Sequence, residues 1–111
     1  GFGICMAQAM ATGKPVVATA YSANLEFMGD ETAFLVPGRL VPARSEPWHP
    51  FEGAMRWCEA DHDAAVEALR ACAFRDAERR RRAEAGRALA LERFSPARVG
   101  RLMLERLGAL A

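Results

Sequence analysis

The first eighteen residues constrain the chain more than any other stretch: Gly1-Phe2-Gly3-Ile4-Cys5-Met6-Ala7-Gln8-Ala9-Met10-Ala11-Thr12-Gly13-Lys14-Pro15-Val16-Val17-Ala18. A glycine-containing loop opens a short apolar helix, Gly13 ends it, and Pro15 leads into a β-branched strand. The first backbone N–H groups of a helix have no carbonyl partner within it and carry partial positive charge. A glycine loop at that end lets a phosphate or a sugar hydroxyl reach the main chain. The order loop, helix, turn, strand is half of an α/β phosphate site, and it suits a nucleotide-sugar diphosphate. Gly-x-Gly before a helix also occurs as a plain tight turn, so these residues by themselves leave both readings open.

Size and composition set outer bounds. The chain has 111 residues, 51% of them hydrophobic and 26% charged, with a formal net charge of +1, which is ordinary for one soluble globular unit. No run approaches the roughly 20 apolar residues of a membrane span. No basic segment followed by an apolar one stands at the start, so the expected location is cytoplasmic. Cys5, Cys58 and Cys72 are odd in number and have no close metal-type spacing, which fits reduced thiols better than a disulfide framework. The chain opens inside a motif and without Met, from which a fragment of something longer is expected.

Further along, residues 15–20 read as a short strand without strict alternation, as expected inside a parallel sheet. Asn24 is placed to cap a short helical turn closed by Gly29-Asp30-Glu31, and residues 32–36 read as a second strand stopped by Pro37-Gly38. The connection of about a dozen residues is long enough for a parallel crossover and too long for a tight hairpin. Four prolines between Pro37 and Pro50 predict an irregular loop over residues 37–53, either packed down by Trp48 and Phe51 or lying near a cleft. Asp61 or Asp63 can cap a helix over residues 64–74 whose Ala65, Leu69 and Cys72 face should pack on the sheet. Residues 76–93 predict a charged helix with a narrow stripe of Ala83, Gly86, Leu89 and Ala90. Ser95-Pro96 start a third helix, serine at the cap and proline at the first helical position, with Val99, Leu102, Met103, Leu107 and Leu110 at helical spacing. Phe94, just before the cap, can serve as a staple.

Gly1-Phe2-Gly3-Ile4 with Gln8-Ala9-Met10-Ala11-Thr12-Gly13-Lys14-Pro15-Val16-Val17-Ala18 resembles the signature of retaining GT-B glycosyltransferases. That signature reads Glu-Gly-Phe-Gly-Leu, three variable residues, then Glu-Ala-Met-Ala-x-Gly-x-Pro-Val-Val-Ala. Tyr21-Ser22-Ala23-Asn24-Leu25-Glu26-Phe27-Met28 is similar to the Tyr-Ser-x-Asn-x-x-Phe-Met segment of one branch, where other members carry Gly-Gly-x-Pro-Glu. Leu40-Val41-Pro42, Trp57-Cys58-Glu59-Ala60-Asp61 and Phe94-Ser95-Pro96-Ala97-Arg98-Val99-Gly100 resemble later parts of the same branch. The resemblance implies a partial Rossmann-like α/β domain over residues 1–111, with short parallel strands and C-terminal helices, the second half of a C-terminal nucleotide-sugar domain. The family's acceptor domain is absent from this stretch, so the fragment alone is expected to be inactive.

The resemblance also implies roles. Gly1, Phe2, Gly3 and Ile4 become donor-binding residues, with the amides of Phe2, Gly3 and Ile4 on the donor sugar or phosphate, stabilising the leaving nucleotide without a metal. Gln8 stands where the family has a glutamate on the ribose; its neutral amide can still bond two hydroxyls but brings no charge. The family glutamate that contacts the donor sugar would precede Gly1, so the catalytic residue is unassigned. No cofactor is implied beyond the nucleotide-sugar donor, the acceptor is unknown, and peripheral membrane association of a full-length protein is compatible with the family.

The remaining features have plainer readings. Arg79-Arg80-Arg81-Arg82 resembles a nucleic-acid patch, but four consecutive helical residues point around the whole cylinder, and Asp76, Glu78 and Glu84 dilute the charge. A solvated helix is expected, with no nucleic-acid partner. His49 and His62 have no Cys or His at metal-like spacing, so surface or capping roles are expected. Cys5, near a helix N-terminus, reads as a small residue facing the sheet. The expected activity is sugar transfer with retention from a nucleotide-sugar donor to an acceptor hydroxyl. The alternatives are a sugar-nucleotide epimerase of the same fold and a non-catalytic module whose C-terminal helices present a partner surface.

Overall fold

The computed structural model describes residues 1–43 and 55–110. In chain order these hold α1 (Ile4–Ala11), β1 (Val17–Thr19), a 3-10 helix (Ser22–Glu26), β2 (Phe34–Val36), β3 (Gly38–Pro42), β4 (Arg56–Ala60), α2 (His62–Phe74), α3 (Asp76–Phe94) and α4 (Pro96–Gly108). The architecture is α/β. It has one parallel strand pair, β1 with β2, and one antiparallel pair, β3 with β4.

The parallel crossover expected from the connection length is present, with Val17 opposite Phe34, Ala18 opposite Leu35 and Thr19 opposite Val36. Both strands are shorter than the apolar runs that announced them. Thr32 and Ala33 donate their amides to the Gly29 carbonyl at 2.9 and 3.0 Å, which commits them to a turn before β2 begins. Asn24 is not the cap it was expected to be. It lies inside the 3-10 helix, whose N-cap is Tyr21, and its side chain is buried, Nδ2 donating to the Thr19 carbonyl at 3.0 Å. The amide therefore ties the crossover to the end of β1 instead of closing a helix end, which a polar residue buried away from water must do with some partner.

Residues 37–53 are not wholly irregular. Gly38–Pro42 pairs with Arg56–Ala60, Leu40 opposite Cys58 and Val41 opposite Trp57, and Arg39 forms an ion pair across the ladder with Glu59 at 3.0 Å. The prolines are tolerated because they fall outside the ladder, at Pro37, or at its last position, Pro42. Trp48 and Phe51 lie outside the described residues.

The core gathers Ala7 and Met10 of α1, Val16, Phe27, Met28, Ala33 and Ala90 of α3. Helix α3 lies against α1 along the stripe predicted for it, with Ala83, Gly86 and Ala90 buried. Gly86 is the point of closest approach. A Cβ there would sit 2.9 Å from the Thr32 carbonyl oxygen and 3.3 Å from Met10 Cε, so any side chain would push α3 off the crossover. Helix α2 starts at Asp61, whose carboxylate accepts from the Ala64 amide at 2.8 Å, as one of the two expected caps. Its inner face differs from expectation: Ala71 is buried, whereas Leu69 is 58% exposed. The small Ala71 lets α2 close onto β2 and α3, and Leu69, two positions earlier, is then turned outward by about 200° of helical rotation.

The four consecutive arginines divide. Arg80 and Arg81 stay outward in ion pairs with Asp76, at 2.8 Å, and with Glu31. Arg82 is only 18% exposed. Its guanidinium lies 4.4 Å from the centre of the Phe34 ring, donates to the Ala33 carbonyl at 2.7 Å and pairs with Glu78 at 2.6 Å. Arg79 donates to the Ala73 carbonyl at 3.1 Å and pairs with Asp76, placing a cation on the C-terminal carbonyls of α2. A uniformly solvated face is thus corrected to one in which the first and last of the four, Arg79 and Arg82, rivet α3 to α2 and to β2.

Candidate functional site

The loop that opens the chain takes the conformation that its glycines permit. Gly3 is the N-cap of α1 at φ 81°, ψ 45°, left-handed backbone that suits glycine, and its carbonyl accepts from the Met6 and Ala7 amides at 3.0 and 3.3 Å. No side chain caps the helix. The amides of Ile4 and Cys5 meet no acceptor among the described residues, so this end keeps the unsatisfied donors of a helix N-terminus. Cys5, expected to face the sheet, is exposed instead, since Ala7 and Met10 take the inward positions of this short helix.

Phe2 anchors the loop. Its ring lies 4.9 Å from that of Phe27 and 5.4 Å, edge on, from that of Phe94; Phe27 and Phe94 are also edge to face at 5.4 Å. Aromatic pairs in this geometry each add about 0.5–1.5 kcal/mol beyond area burial. Phe94 is therefore a member of an aromatic cluster that joins the end of α3 to the opening loop. That long-range role was not legible in its position before the Ser95 cap.

Two depressions flank α1. On one side Phe2, Ile4 and Gln8 share an apolar groove of about 400 Å³ with Leu91, Phe94 and Pro96. The Gln8 side chain is exposed there and makes no hydrogen bond among the described residues. On the other side Met6 meets Thr19, Tyr21, Asn24 and Trp57 in a cleft of about 460 Å³. Met6 and Gln8 are two residues apart, about 200° around the helix, and so point to opposite sides. Of the residues expected to bind a donor, the structure brings Phe2, Ile4 and Gln8 together along the groove. Gly3 shapes the helix end between the two depressions, and Gly1 is exposed in the loop before it.

The cleft was missed by sequence reasoning. It lies at the C-terminal end of β1, where ligands of open α/β sheets bind, and its wall is completed by Trp57 on β4. Next to it Ser22 sits at φ 70°, a left-handed conformation that costs a serine about 1–3 kcal/mol. The Asn24 carbonyl oxygen, Oδ1, accepts from no donor among the described residues. Arg82 Nε is the buried polar side-chain atom left without a partner among them.

Among the described residues no group of three or more His, Cys, Asp or Glu side chains could hold a metal ion, and no helix is long and apolar enough to cross a membrane. His62 is the first residue of α2, beside Asp63 at 3.5 Å, in the surface position expected of it. No family model, no curated protein and no solved structure matches the chain.

Proposed function

We propose that this chain is the second half of a Rossmann-like nucleotide-sugar domain of a retaining GT-B glycosyltransferase, and that the longer protein transfers a sugar to an acceptor hydroxyl. The observation that carries the reading is Gly3. Its left-handed backbone turns the loop into α1 and leaves the first helix amides open beside a parallel strand pair, which is the arrangement a diphosphate requires. The resemblance of residues 1–18 to the family signature supplies the chemistry. The diphosphate lies against the amides of Phe2, Gly3 and Ile4, whose fixed dipoles stabilise the charge that develops on the leaving nucleotide. Gln8, one turn further along α1 and open to solvent, is the candidate for the ribose hydroxyls.

The test is binding of UDP-, GDP- and ADP-sugars to the natural full-length protein, followed by Gln8→Ala. Loss of one exposed amide should weaken the preferred donor roughly 3- to 10-fold. Unchanged affinity removes Gln8 from the site, and no saturable binding of any nucleotide sugar removes the donor reading. A second reading is favoured by α4, whose Val99, Leu102, Met103, Leu104 and Leu107 are 40–71% exposed: this helix presents a surface to another polypeptide. The two readings are compatible within one longer protein.

A further inference from the structure

We infer that Phe94, together with Phe27, is a positioning residue for the glycine loop: the two rings form a seat for Phe2 that fixes where the amides of Phe2, Gly3 and Ile4 point. The inference rests on the donor reading, which assigns those amides to the diphosphate, and it adds the device that holds them. No backbone hydrogen bond among the described residues ties Gly1 or Phe2 to another segment. Gly3 is left-handed at φ 81°, and its carbonyl is spent on the first turn of α1. A glycine turns easily about that point, so hydrogen bonding alone leaves the loop able to swing. The ring of Phe2 supplies the missing restraint, 4.9 Å from the ring of Phe27 and 5.4 Å, edge on, from that of Phe94.

The seat is held in place independently of Phe2. Phe27 is buried, and its amide donates to the Asn24 carbonyl at 3.2 Å, which fixes it at the end of the 3-10 helix. Arg93 donates to the Glu26 carbonyl, tying the last turn of α3 to the residue before Phe27. Phe27 and Phe94 then meet edge to face at 5.4 Å. Phe94 is half-buried and also lines the groove that holds Gln8. One ring therefore borders both the loop proposed for the diphosphate and the side chain proposed for the ribose. Backbone amides stabilise an anion best when their dipoles are already aimed at it, and a loop that has to be ordered on binding loses affinity by that ordering.

The test uses the natural full-length protein. Phe94→Leu removes the ring and keeps an apolar side chain before the Ser95 cap, whereas Phe94→Tyr keeps the ring. Backbone order parameters are measured by ¹⁵N relaxation, and binding of UDP, GDP and ADP by calorimetry. Phe94→Leu should lower the order parameters of Phe2, Gly3 and Ile4 from about 0.85 to below about 0.6, with those of α2 unchanged. It should also weaken the bound diphosphate roughly 3- to 10-fold, and Phe94→Tyr should leave both readouts near the unsubstituted values. Phe2→Leu, on the loop side of the same contact and itself exposed, should reproduce both effects without touching α3. Order parameters that stay near 0.85 in both leucine variants overturn the inference. So does a fall spread equally over α2 and α3, which marks a structural role alone. Loosening of the loop with diphosphate affinity unchanged also overturns it, while the donor reading stands. An unsubstituted protein that binds none of the three diphosphates removes the donor reading, and the positioning role falls with it.

Discussion

Helices α1 and α4 are opposites in how they are held. α1 has eight residues, no side-chain cap and no acidic residue in its first turn, and yet it lies at the centre of the core, with Met10 1% exposed. α4 has thirteen residues, a Ser95 cap on the Arg98 amide at 3.3 Å and Pro96 at its first position, and none of its residues is buried. An isolated helix of α1's length is marginal in water, so α1 exists because α3, the crossover and the phenylalanine cluster surround it. α4 rests on its own termination and on α3 at one end. Local signals are thus strongest where tertiary support is weakest, and the candidate site is built around the helix that depends on its neighbours.

Substitutions in the two helices should separate accordingly. Met10→Ala should cost the most, about 2–5 kcal/mol in denaturant unfolding, because it empties a fully enclosed position between α1 and α3. A loss below about 1 kcal/mol would mean that α1 is not packed as described. Gly86→Ala acts on the same contact from the α3 side and should cost about 1–3 kcal/mol, since the new methyl meets backbone at Thr32 that cannot easily retreat. Ser95→Ala should cost about 1 kcal/mol in denaturant unfolding and reduce the helical ellipticity contributed by α4. Leu104→Ala, at a side chain 71% exposed, should change stability by less than about 0.5 kcal/mol. A larger effect in the full-length protein would show that something covers the apolar face of α4, and would sharpen the contrast into one between a helix packed within this unit and a helix packed against another.

The arginines of α3 extend the same contrast to charge. Arg81 reaches Glu31, Arg82 the Ala33 carbonyl and Arg93 the Glu26 carbonyl, so three cations on one helix fasten the crossover between β1 and β2. Exposed pairs such as Arg81 with Glu31 are worth little individually. Arg82 is different, because its guanidinium is enclosed by Phe34, Ala33 and Glu78, and it holds the short β2 strand in place. Their spacing on the helix could not distinguish Arg82 from Arg80, since each has an acidic partner four residues earlier and the Ala33 carbonyl that draws Arg82 inward lies 49 residues away in the chain.

Much of the element order was legible. The opening loop and α1, the parallel crossover, the Asp61 and Ser95 caps and the apolar stripe of α3 all depend on residues within a few positions of one another, where glycine backbone, side-chain caps and helical periodicity act. The β3–β4 hairpin was not legible, because pairing Leu40 with Cys58 is a long-range event and the prolines around it argue locally for a loop. The inward face of α2 was misread for a related reason: Ala71 is chosen over Leu69 by how closely α2 must approach β2, and periodicity does not set that distance. For the site, the residues of the glycine loop were identifiable from their own pattern. Asn24, Tyr21 and Trp57 were not, since they converge only when β1, the crossover and β4 are folded together.

The amino-acid sequence by itself determined a helix opened by Gly3 and closed by Gly13, two short strands joined in parallel, and two capped helices near the C-terminus. Those features arise from local backbone preference and hydrogen bonding within a turn or two. Only the tertiary structure decided that Gln8 and Met6 face opposite depressions, that Arg82 turns inward, and that Asn24 is buried with its amide on the Thr19 carbonyl at the end of β1. Each of those outcomes depends on distances between segments far apart in the chain, which packing and burial set.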